Sequence, residues 1–174
     1  HAGLHRIAAR LLVRAGRVDQ ARLEYAAALR WSPDPQALLV EISKQLAPLD
    51  AALAIPVELD PQRVTQLLDA AERHDLSMLW LQRVVAERRS LRAAEALYTR
   101  AMRVQDHRAA EVAVTRRCEM MPSPRCQLDL ARVLAAAGKQ DGVIATLDDV
   151  ATWTGRTDDK LAAWLLLCDA HAAL

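Results

Sequence analysis

The sequence predicts an all-α protein of antiparallel helix pairs, and three observations carry that prediction. The apolar residues are mostly Ala, Leu and Val, with no Phe and few aromatics, and Ala and Leu are strong helix formers. Five Gly and seven Pro are too few for the many turns of an all-β protein. Helix-start and helix-stop residues recur at helix-length intervals along the whole chain. At 174 residues there is enough chain to bury a real apolar core.

Taken in order, segments 3–15, 18–31, 35–46, 61–73, 76–89, 91–104, 107–120, 124–137, 140–153 and 158–173 read as helices. Asp34-Pro35, Asp60-Pro61 and Ser123-Pro124 each combine a capping side chain with a proline suited to the first turn. Gly16 and Gly138 follow helix ends, where a left-handed residue closes the last turn. Asp158 and Asp159 suit a helix start, where they cap it and complement its dipole. Segment 47–60 is the exception. Pro48 and Pro56 leave room only for a short helix, about 49–54, and then an extended piece. Linkers this short force neighbouring helices to run antiparallel.

The chain also compares with itself. From Gly16, steps of 5, 4, 3 and 5 reach Ala21, Tyr25, Ala28 and Pro33. The same steps from Gly138 reach Val143, Leu147, Val150 and Gly155, and from Gln105 they reach Ala110, Val114, Arg117 and Pro122. Ala9, Tyr98 and Ala131 stand seven residues before each start. Small residues at such places let helix backbones approach closely, while Tyr25 fills the space between pairs.

This pattern resembles the tetratricopeptide repeat, a helix–turn–helix unit of about 34 residues. Ala9, Gly16, Ala21, Tyr25, Ala28 and Pro33 carry the resemblance over 3–35, and it extends to 124–156. It is partial over 91–123, where Ala110 and Pro122 fit but Gln105, Val114 and Arg117 do not. The family's first-helix tryptophan is replaced by His5, Ala94 and Gln127. The resemblance implies one right-handed α-solenoid domain over 1–174, irregular around 47–60. Its units would be 3–35, 36–59 (degenerate or an insertion), 60–90 (degenerate), 91–123, 124–156 and a half unit at 157–174.

Tetratricopeptide arrays bind ligands in a concave groove lined by first helices. The resemblance implies fifteen groove-facing places, Leu128 and Glu95 among them, and seven are arginines: Arg6, Arg10, Arg14, Arg92, Arg103, Arg125 and Arg132. That is more than twice the about three expected of exposed positions. Arg6, Arg10 and Arg14 stack along one helix face, and guanidinium forks suit carboxylates and phosphates. Two readings follow: a groove for an acidic peptide or an anionic polymer, or an Arg-rich exposed face paired internally by Glu95 and nearby acids. The family's carboxylate clamp uses Lys and Asn, and Arg6 and Arg10 depart from it.

Other chemistry is sparse. The sequence holds no phosphate-cradling glycine loop, GxSxG, HExxH or calcium loop, so no enzyme activity, metal or cofactor is expected. His1 and His5 are four residues apart and could share a metal, but read first as solvated surface. Cys118, Cys126 and Cys168 show no zinc spacing. They read first as small buried residues, with a Cys118–Cys126 bridge open to them in an oxidising compartment.

The net charge of +1 does not suit a specific nucleic-acid binder, and no apolar run is long enough for a membrane span. Twenty Arg against three Lys, with abundant Ala, suggests a GC-rich bacterial genome. A start without Met is expected of a segment from a larger bacterial assembly or secretion protein. Whether it is cytoplasmic or in the envelope depends on upstream sequence. The last helix carries Leu161, Trp164, Leu165 and Cys168 where a terminal cap should be polar. That face is expected to continue the array or to self-associate, as a spacer or oligomerisation element.

Overall fold

The computed structural model describes residues 1–154 and 156–174. Gly155, the last rung of the ladder from Gly138, lies outside the described residues. Among those described, the chain is all-helical, with no strand, and it divides into two compact units, His1–Arg88 and Arg89–Leu174. The first holds α1 (Ala2–Arg14), α2 (Val18–Trp31), α3 (Pro35–Gln45), α4 (Pro48–Ala54), α5 (Pro61–Ala70) and α6 (His74–Glu87). The second holds α7 (Leu91–Arg103), α8 (His107–Met120), α9 (Pro124–Ala136), α10 (Gln140–Leu147) and α11 (Thr157–Ala172).

The helices begin where the sequence signals them. Asp34, Asp60 and Ser123 accept backbone N–H groups at 3.1, 3.1 and 3.2 Å, and Ser90 and Asp106 do the same for α7 and α8. Each bond satisfies one of the donors a helix start leaves without an intrahelical partner. At α11 the expected caps shift: Arg156 occupies the capping position, and Asp158 and Asp159 sit in the first turn, where they complement the dipole without capping it.

Four helix ends share one closure. Gly16 (φ 71°), Glu72 (57°), Gln105 (58°) and Gly138 (74°) are left-handed. Each donates its N–H three residues back, to Val13, Asp69, Met102 and Ala135. The next residue reaches five back: Arg17 to Leu12, Arg73 to Leu68, Asp106 to Ala101 and Lys139 to Leu134, each at 2.9 Å. This paired closure satisfies the last carbonyls of α1, α5, α7 and α9 and turns the chain sharply. The last three turns are evenly spaced, 33 residues apart. Glycine adopts this conformation freely, whereas an L side chain costs about 1–2 kcal/mol.

In the first unit, α1 packs on α2 through fully buried Ala9, Ala21 and Ala28, with Tyr25 wholly enclosed beside them. Segment 47–60 forms α4 and then a non-helical run that other side chains hold. Leu46 is extended, so α3 lacks the left-handed closure, and the Arg73 guanidinium instead binds the Ser43 carbonyl. Arg83 binds the Ala52 carbonyl (2.6 Å), Trp80 Nε1 the Ile55 carbonyl (3.2 Å) and Arg88 the Val57 carbonyl (2.8 Å). Donors from α6 and the residue after it thus replace the pairing that this irregular stretch lacks.

In the second unit, α7 packs on α8 and α8 on α9. Beyond them Leu128, Ala131, Leu134, Val143, Leu147, Trp153 and Ala163 form one core joining α9, α10 and α11. The helix expected over 140–153 stops at Leu147 and resumes as a 3-10 turn, Val150–Thr152. Asp148 and Asp149 account for the break. Acids oppose the negative end of a helix, and the Asp149 carboxylate accepts from Trp153 Nε1 (3.1 Å) while its carbonyl accepts from Thr152 Oγ1 (2.8 Å).

Replacing either non-glycine left-handed residue tests these closures. Glu72→Gly and Gln105→Gly should each stabilise the fold by about 0.5–1 kcal/mol, read as raised midpoints in thermal and urea unfolding. Gly138→Ala should cost about 1 kcal/mol. Destabilisation by either glycine variant would place those residues in an ordinary right-handed conformation.

Candidate functional site

The side chains of α3 and α9 organise most of the expected arginines. On α3, Glu41 stands between Val40 and Ile42 in an otherwise apolar stretch and is only 8% exposed. A buried carboxylate requires partners, and three reach it. Arg10 binds it in bidentate fashion, through Nε to Oε1 (2.6 Å) and Nη2 to Oε2 (2.5 Å). Arg6 donates Nε to Oε2 at 2.7 Å, and the buried Tyr25 hydroxyl donates to Oε1 at 3.3 Å. One helix thus supplies two guanidinium groups a turn apart, and the next two helices supply the phenol and the acid.

The electrostatics follow from this geometry. Burial alone pushes the Glu41 carboxyl upward, but the hydrogen bonds from Arg10 and Arg6 outweigh it and hold it below the usual carboxylate range. Tyr25 is pushed up to about 12, first by burial and then by the negative charge of Glu41. The phenol therefore stays neutral and remains a donor.

Asp129 plays the corresponding part in the second unit. It is buried on α9. Arg117 of α8 binds its Oδ2 at 2.6 Å, Arg132 its Oδ1 at 3.4 Å, and Arg125 approaches Oδ1 at 3.7 Å. Arg125 also binds Asp159 of α11 at 2.6 Å. The Arg117 guanidinium lies over the Tyr98 ring, 5.1 Å from its centre. Burial, and then the charge of Asp129, raise the Tyr98 hydroxyl above its ordinary value.

Four of the seven expected arginines, Arg6, Arg10, Arg125 and Arg132, are therefore held by acids of their own unit. Internal pairing is real, but the acids are Glu41, Asp129 and Asp159, and Glu95 is exposed. Arg14, Arg92 and Arg103 are exposed, with no ion pair or side-chain hydrogen bond among the described residues. Leu128, expected in a groove, belongs to the core because α9 is covered by α8, α10 and α11. Neither Glu41 nor Asp129 stands out in the sequence. Arg117 reads there as a misfit in the ladder from Gln105 and, beside Arg116, as a solvated helix face, whereas the structure largely buries it against Asp129. An acid flanked by apolar residues on a proline-started helix was the signal available for Glu41 and Asp129.

The cysteines differ from their first reading. Cys118 and Cys126 form a disulfide, with Cα atoms 5.5 Å apart, that ties the end of α8 to the start of α9. Cys168 is free and exposed. His5 Nδ1 meets Glu24 at 2.7 Å, and among the described residues no three His, Cys, Asp or Glu side chains gather as metal ligands. An open cleft of ≈ 490 Å³ lies between Cys118, Pro122, Gln127 and Trp153. Its one carboxylate, Asp149, is bonded to Trp153. No helix among the described residues is long and apolar enough to cross a membrane. Comparison with protein-family models, curated proteins and solved structures finds no match.

Glu41→Gln should destabilise the protein by about 1–3 kcal/mol, while Arg14→Ala should stay within about 0.5 kcal/mol. The pH dependence has a definite sign. Folded Glu41 releases its proton at lower pH than the unfolded chain does, so unfolding takes up protons between the two values. Its stabilisation is complete above the unfolded value, about 4.3, and is lost as pH falls through the folded one. Urea unfolding from pH 7 to pH 3 should show a steeper acid loss for the wild type than for Glu41→Gln. Parallel curves would remove Glu41 from this role.

Proposed function

We propose that the chain is a non-catalytic interaction scaffold: a tetratricopeptide-like right-handed α-solenoid, part of a larger bacterial assembly or secretion protein. In this reading its arginine-bearing helix faces bind an extended or helical acidic segment of a partner. The observation that carries it is the recurrent left-handed closure at 16, 72, 105 and 138, which gives two-helix units, with buried alanines on the paired helices α1 and α2 and on α7 and α8. Arrays of such pairs present open surfaces that suit a bound segment. Arg14, Arg92 and Arg103 hold unshared guanidinium forks for carboxylates. Arg6, Arg10, Arg125 and Arg132, each fixed by an acid yet partly exposed, are pre-organised to offer their remaining donors.

A second reading is favoured by one specific observation. Leu161, Trp164 and Leu165 are exposed on α11, with Cys168 on the same face. An apolar stripe of this kind marks an interaction site, which makes the chain an oligomerisation or spacer module.

Binding to fluorescent acidic, neutral and basic peptides at two salt concentrations tests the first reading. Acidic peptides should bind best, lose affinity as salt rises, and bind about tenfold or more weakly to the Arg14→Ala/Arg92→Ala/Arg103→Ala variant, a loss of about 1.4 kcal/mol. Equal binding of acidic and basic peptides, or an unchanged triple variant, would sink it.

A further inference from the structure

The first and last helices each leave one apolar stripe uncovered. On α1, Leu4, Ile7 and Leu11 are 67%, 56% and 59% exposed. Their i, i+3, i+7 spacing puts them on one face, opposite the fully buried Ala9. On α11, Leu161, Trp164, Leu165 and Cys168 form the matching stripe, opposite the buried Ala163 and Ala170. The exposed face of α7, by contrast, carries Arg92, Glu95, Thr99 and Arg103. The other exposed large apolar residues, such as Leu23 and Trp31 on α2 or Leu49 and Leu53 on α4, make no stripe of three.

Charge distinguishes the two stripes. α1 carries Arg6, Arg10 and Arg14 and no acid. Exposed, unpaired Arg14 borders its stripe, and exposed Arg17 follows in the turn. α11 carries Asp158, Asp159 and Asp169 against Lys160. Asp158 is 3.7 Å from Arg156 and Asp159 is bound by Arg125, so exposed Asp169 is the unshared acid that borders its stripe, with Asp158 beside it. Setting α1 against α1, or α11 against α11, would juxtapose like charges. Setting α11 against α1 brings apolar stripe to apolar stripe with opposite charges at the edge, the arrangement that favours one partner and suppresses the wrong ones.

We infer that copies of this chain associate head to tail, with the α11 stripe of one copy seated on the α1 stripe of the next. The inference rests on the oligomerisation reading above and names the surface that reading lacks. Such a contact is heterologous: every copy added leaves one α1 face and one α11 face open. Assembly therefore does not end at a dimer unless the rotation closes a ring.

The test uses the full chain with Cys168→Ser throughout, so that no intermolecular disulfide imitates association. Sedimentation velocity should show a mass that keeps rising with concentration. Ile7→Glu blocks the α1 face and Trp164→Glu the α11 face, and each variant alone should be monomeric. An equimolar mixture should give a 1:1 dimer and nothing larger, because only one compatible pair of faces remains. Dimerisation of Ile7→Glu by itself would overturn the head-to-tail contact in favour of α11 against α11, leaving the oligomerisation reading intact. A wild type that stays monomeric to on the order of 1 mM would overturn both. If circular dichroism shows lost helicity in either variant, Leu11→Glu and Leu165→Glu replace them with the same expected pattern.

Discussion

Everything in this fold depends on how the chain reverses after a helix. A helix end leaves carbonyls without partners, and a short linker to an antiparallel neighbour leaves few residues to satisfy them. At 16, 72, 105 and 138 one left-handed residue does so and re-aims the backbone. Once the reversal is that tight, the two helices emerge in contact, and a pair such as α1 and α2 needs small side chains where its backbones meet. The alanines at 9, 21 and 28 meet that condition. Where the reversal is missing, between α3 and α4, the protein needs Arg73, Arg83, Arg88 and Trp80 to bind the loose carbonyls. The same requirement is met by side chains when the backbone cannot meet it.

Close pairing has an electrostatic consequence. Helices with alanine-lined contacts leave room for a few long side chains to cross between them, and the chain uses this twice. Glu41 and Asp129 each draw arginines and lie near a tyrosine. A buried carboxylate without such partners would cost several kcal/mol, so the arginines answer a structural demand before any partner is considered. Their guanidinium groups remain partly exposed. One cluster can therefore hold its own acid and still present donors outward.

The helical fold was legible in the sequence where residue chemistry is local. Asp34-Pro35, Asp60-Pro61 and Ser123-Pro124 mark helix starts, and Gly16 and Gly138 mark helix ends, because caps act within a few residues. Glu72 and Gln105 take the same left-handed turn without a glycine to announce it. Their conformation is imposed by the helices on either side, which is why Gln105 stands as a misfit at the start of its ladder although it closes α7 as Gly16 closes α1. The break after Leu147 was hidden because Val150 kept the apolar spacing of a continuing helix. For the candidate site, the arginines were visible but their partners were not, since whether Glu41 or Glu95 faces inward is decided by tertiary packing. The Cys118–Cys126 bridge was one of two readings the spacing allowed, and the close approach of α8 and α9 selects it.

Amide hydrogen exchange by NMR tests the shared turn most directly. In each turn the residue after the left-handed one donates to a carbonyl five back, so the N–H groups of Arg17, Arg73, Asp106 and Lys139 are held within the helix ends. The account predicts protection at all four, with Arg73 and Asp106 as slow as their glycine-preceded counterparts. Exchange of Arg73 and Asp106 at unfolded-chain rates, beside protected Arg17 and Lys139, would contradict it, and would confine the closure to the two turns that contain glycine.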